Sequence, residues 1–88
     1  MDVALRFAEE AAVEAATWNF HASQVLEPRP DGTLIVRFRA GGLEEMATHL
    51  SSWGETVEVL APDALRTRLA TLGESLVRRH GAAQRDVM

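Results

Sequence analysis

The chain has 88 residues, 47% of them hydrophobic and 25% charged, with a net charge of −4 and no cysteine. That balance belongs to one folded domain around a single core, expected over residues 1–80 with a frayed tail over 81–88, and it excludes disulfides, thiolate metal sites and cysteine nucleophiles. No apolar run is long enough for a membrane span and no leader is read, so a cytoplasmic chain without a membrane partner is expected.

Val3, Leu5 and Phe7 alternate with Asp2, Ala4 and Arg6, the period of a half-buried strand. AEEAAVEAA, residues 8–16, follows as a helix with acids in its first turn; Ala8, Ala12, Ala15 and Val13 are expected to form its flat sheet-facing side, and Trp18 and Phe20 to act as large anchors after it. HASQVLE, residues 21–27, is extended but weakly patterned, and Pro28 and Pro30 mark it as an edge strand. Asp31-Gly32 is a hairpin signal. TLIVRFR then puts Leu34, Val36 and Phe38 on one face and Ile35, Arg37 and Arg39 on the other, as a central strand.

Gly41-Gly42 ends that strand. Leu43, Met46, Ala47 and Leu50 recur at helical spacing, Trp53 follows, and Gly54 is a natural stop. Residues 56–60 form a short strand with Val57 and Val59 inward. Pro62 opens a third helix striped by Leu65, Leu69, Leu72 and Leu76.

The order β-α-β-β-α-β-α is an α+β, ferredoxin-like plait: a four-stranded antiparallel sheet in order 4-1-3-2, both crossover helices on one face, and an extra C-terminal helix. That helix has three open placements: over the sheet's free face, alongside the helical layer, or out to a partner.

Chemistry-bearing patterns are sparse. His21, His49 and His80 lack ligand spacing, so no metal is expected. Ser51 and Ser52 beside His49 are read as polar helix-end residues rather than an activated pair. There is no GxGxxG or P-loop. The acylphosphatase arrangement, which shares this plan, needs an asparagine on a later strand, whereas the only one here is Asn19. No enzyme activity, catalytic residue or cofactor is therefore expected. All nine basic residues are arginine. With a negative total and no recognition helix, direct DNA binding by this chain is not expected. Arg66, Arg68, Arg78, Arg79 and Arg85 read as a solvated helix face and a basic helix end. The candidate site is the face opposite the helices, carrying Arg6, Ile35, Arg37 and Arg39, which could meet a partner or an anion; Glu58 and Glu27 would flank it.

Taken in order, VALRF (3–7), HASQ (21–24), DGTLIVRF (31–38), GLEE (42–45), LSSWG (50–54) and VEVLAPDALR (57–66) resemble the WCX domain. This is the C-terminal extension of WYL-domain, helix-turn-helix transcriptional regulators of bacteria. The resemblance runs from about Val3 to Leu72. It implies a ferredoxin-like fold and a non-catalytic role in dimerisation and effector response, within a regulator whose other domains bind DNA and sense the effector. Expected partners are a second copy, the regulator's other domains or an anionic effector. The alternative is an ACT-like domain sensing a small molecule or nucleotide.

Overall fold

The two strands with the clearest alternation, β1 (Asp2–Phe7) and β3 (Leu34–Arg39), lie side by side at the centre of the sheet. They pair antiparallel along their whole length, with Val3 opposite Phe38, Leu5 opposite Val36 and Phe7 opposite Leu34. All six side chains are buried, because alternation puts every second residue of each strand on the same face. Slipping the register by one residue would send this set to the opposite face.

In the computed structural model, which describes residues 1–81, the other elements are α1 (Glu9–Thr17), β2 (Val25–Pro28), α2 (Leu43–Ser51), β4 (Val57–Ala61) and α3 (Asp63–Leu76). The sheet order is β2-β3-β1-β4, which is the expected 4-1-3-2 counted from the other edge. The fold is a four-stranded antiparallel ferredoxin-like plait. Of the expected tail over 81–88, all but Gly81 lies outside the described residues.

The β2–β3 hairpin closes around Asp31-Gly32. Gly32 N–H donates to Arg29 C=O at 3.0 Å and Arg29 N–H to Thr33 C=O at 2.9 Å. Gly32 has φ +87°, a conformation that costs an L side chain energy but not glycine. A Cβ there would also strike the Glu9 side chain. β2 is shorter than its expected extent, starting at Val25 rather than His21. Residues 21–24 instead fold back in a local polar network. Gln24 Oε1 accepts from Phe20 N–H at 2.8 Å, its Nε2 donates to Trp18 C=O at 3.0 Å, and Ser23 Oγ accepts from Arg39 N–H at 3.0 Å.

The helices correct three further expectations. On α1, Ala11 and Ala15 are the buried positions, whereas Val13 is 81% exposed. Val13 lies two residues from each of them, about 200° around the helix at 3.6 residues per turn. Trp18 is not a buried anchor: it is 44% exposed, while Phe20 and Trp53 pack against the core. The leucine stripe of α3 is covered only at its start. Leu65 is buried and Leu69 packs on the core, but Leu72 is only half-buried and Leu76 is exposed.

Of its three open placements, α3 takes the second. It packs beside α2 and against β4, so it extends the helical layer. Arg68 Nε reaches Glu44 Oε2 of α2 at 2.6 Å. The core therefore lies between the sheet and three helices, and among the described residues no helix lies on the sheet's other face.

Candidate functional site

The open face takes its residues from the same strands, one position out of phase with the core. Asp2 stands opposite Arg39, Ala4 opposite Arg37 and Arg6 opposite Ile35 across β1 and β3. Val25 and Glu27 of β2 face Arg37 and Ile35, and Glu58 of β4 faces Arg6. All four expected site residues, Arg6, Ile35, Arg37 and Arg39, thus share one surface. A shift in the β1–β4 pairing between Ala4 and Leu5 brings Ala61 opposite Ala4.

The floor of this surface is apolar. Ala4 is only 5% and Ile35 8% exposed although no helix among the described residues covers them, since their neighbours on the sheet shield them. Val25 on the edge strand is 58% exposed. At one end a shallow depression of about 450 Å³ is lined by Ala4, Val25, Ala61, Arg37 and Arg39.

Each arginine of the face has a carboxylate partner. Arg39 Nε meets Asp2 Oδ1 at 2.7 Å, Arg37 Nε meets Glu27 Oε2 at 2.5 Å, and Arg6 Nη2 meets Asp31 Oδ2 at 3.1 Å. These are exposed pairs, each contributing about 0–1 kcal/mol. With Glu58 included, the face sets four carboxylates against three guanidiniums and carries no positive excess. Each pair uses one guanidinium nitrogen out of the five donor hydrogens that arginine carries, so hydrogen-bonding capacity remains for a docked surface.

Asp31 has a second role. Its Oδ1 accepts from the Thr33 hydroxyl at 2.6 Å and from Thr33 N–H at 3.0 Å. Chiefly the hydroxyl bond, then the N–H bond and, more weakly, the Arg6 charge hold its carboxyl below the usual aspartate range. The hairpin turn is therefore fastened to the open face.

A family model for the WCX domain matches residues 1–77. The chain belongs to the WCX domain family. No curated protein matches it.

In this WCX domain the other nominated residues fall into local structural roles. Ser51 Oγ donates to Thr48 C=O and Ser52 Oγ to His49 C=O, both at 2.6 Å, so neither hydroxyl addresses the imidazole. His49 stacks on Trp18 with ring centroids 5.3 Å apart, and His21 lies over Phe38 at 6.5 Å. His80 is exposed in the helical turn Val77–Gly81. Among the described residues no group of three or more His, Cys, Asp or Glu is placed to hold a metal. No helix among them is long and apolar enough to cross a membrane.

Of the open face's floor Ile35 was legible in the sequence, and of its acids Glu27 and Glu58, whereas the rest of the floor and the pairing acids Asp2 and Asp31 were not. Ala4, Val25 and Ala61 carried no signal of their own. Asp31 read only as a turn residue, because its partner Arg6 is 25 positions away. The registers of β1 with β3 and β4, and of β2 with β3, are what bring them together.

Proposed function

We propose that this WCX domain is a non-catalytic regulatory and oligomerisation module of a WYL-type bacterial transcriptional regulator, and that it docks through the open face of its sheet. Family membership supports the regulatory part of this reading. One observation carries the docking part: α3 joins the helical layer and leaves uncovered a face with an apolar floor, Ala4, Ile35 and Val25, ringed by neutralised arginine–carboxylate pairs. A rim of ion pairs without positive excess around an apolar centre suits a protein surface better than a free anion, which would have to compete with four carboxylates already there. The favoured occupant is a second copy or another domain of the same regulator. The domain itself is not the part that grips the promoter.

The test is sedimentation over a dilution series. Wild-type protein is expected to change mass with concentration, and Val25→Glu, at an exposed position, is expected to stay folded and monomeric. Equal association by the two proteins removes the open face from the proposal. A titration showing tight, sequence-specific duplex binding by the domain alone would overturn its assignment as the part that does not contact DNA.

A further inference from the structure

On the opposite side of the molecule, α1 and α2 leave a cleft of about 420 Å³ lined by Glu10, Glu14, Trp18, His49, Ser52 and Trp53, with Ala11 and Thr56 completing it. That volume lies in the range of small-ligand sites, about 300–1,000 Å³. Trp18 and Trp53 form two walls at 89° to each other with centroids 6.0 Å apart. The exposed indole of Trp18 is backed by the His49 ring, stacked at 27°. Gln24 holds the Trp18 carbonyl from the following loop, so the wall is braced before any ligand arrives. Trp53 packs against Phe7 and Phe20, which anchors the second wall to the core.

Four acids outside this cleft are held in ion pairs. Asp2, Glu27, Asp31 and Glu44 each have an arginine partner. Glu10 and Glu14 have no basic or side-chain hydrogen-bond partner among the described residues, and they stand one helical turn apart beside the same two indoles. The sequence places no lysine or arginine anywhere in residues 7–28 or 40–65, the stretches that build the cleft. Glu14 also sits in the last turn of α1, which has no basic residue. The helix dipole makes that end negative, so a carboxylate there is disfavoured until a cation arrives.

We propose that the α1–α2 cleft binds a guanidinium group, stacked on the Trp18 indole and forked by the carboxylates of Glu10 and Glu14. Guanidinium fits both elements of the cleft. Its flat cation lies on an aromatic face, attracted by the ring's negative quadrupole, and its planar donors match a carboxylate. A neutral ligand would leave two carboxylates unmatched. This site is independent of the open face, and neither requires the other.

The experiment follows the two indole N–H resonances of the isotope-labelled domain, assigned with Trp18→Phe. N-acetyl-arginine amide is expected to shift the Trp18 signal saturably. Its uncharged isostere, N-acetyl-citrulline amide, should bind at least ~5-fold more weakly. The E10Q/E14Q double variant, changed only at exposed positions, should also lose at least ~5-fold in affinity for the arginine compound, and the loss should shrink as salt is raised. Glu74→Gln, outside the cleft, should bind as the wild type does. Agmatine distinguishes the sources of the group: tighter binding than the arginine amide indicates a free small molecule, and weaker or equal binding indicates an arginine side chain of a neighbouring protein segment. No saturable shift, an equal response to the citrulline compound, or unchanged affinity in E10Q/E14Q would overturn the proposal.

Discussion

The two faces of one sheet are built from alternate residues of the same strands, yet they are held in different ways. On the helix-covered face, Leu5, Phe7 and Val36 are sealed between layers and contact α1, α2 and α3 through a single cluster that includes Ala11, Ala15, Ala47, Leu50 and Leu65. On the open face, Ala4 and Ile35 are shielded only sideways, by their neighbours on the adjoining strands. Low exposure therefore has two meanings here. On one face it marks the core, and on the other it marks the floor of a surface that still has an unfilled side.

The difference should be measurable. Phe7→Ala removes a ring packed against Phe20 and Trp53 and should cost about 3–5 kcal/mol, read by urea denaturation. That is a large share of the stability of a domain this size. Ile35→Ala, at a position almost equally buried but on the open face, should cost less, about 1–2 kcal/mol, because no second layer is left with a cavity. Equal costs for the two changes would show that the open face is sealed in solution, and would point to a dimer under the conditions of the measurement.

Arg6→Ala with Arg37→Ala removes two exposed pairs and should lower stability by no more than about 0–2 kcal/mol in total, while weakening assembly of the regulator or its effector response. A double variant that assembles and responds like its parent would reduce these arginines to a solvated rim.

The smallest effect concerns the hairpin that fastens the face. Asp31 is held below its ordinary pKa, so its contribution is fully present above the unfolded value and is lost as pH falls through the folded one. Asp31→Asn should therefore melt lower than wild type at neutral pH, and the gap should close as pH falls below the ordinary aspartate range. A gap that stays constant with pH would mean that the carboxylate charge is not what supports the turn.

A parallel contrast runs along α3. Leu65 and Leu69 share a spacing with Leu72 and Leu76, but only the first pair meets the core. Helical periodicity shows which side of a helix is apolar. It does not show how far along the helix another element extends to cover that side.

Much of the fold was legible because strand alternation and right-handed crossover are local rules with few solutions. Val3, Leu5, Phe7, Leu34, Val36 and Phe38 could be assigned to one face from period alone, and the chain order of elements then left the strand order 4-1-3-2. Arg6, Ile35, Arg37 and Arg39 were placed together by the same reasoning. Where α3 would lie was not legible, since an apolar stripe satisfies either face of a sheet until the competing contact with α2 and the Arg68–Glu44 pair are known. Nor was the pairing of each arginine, because side-chain partners such as Arg6 and Asp31 meet only once two strands and a turn are in register. The cleft on the helical side is the extreme case. Glu10 and Glu14 read as ordinary surface acids of a helix, and Trp18 as a core anchor. Only the placement of α1 and α2 on the same face of the sheet sets two indoles and the two carboxylates around one space, because it joins residues from separate segments which no local period relates.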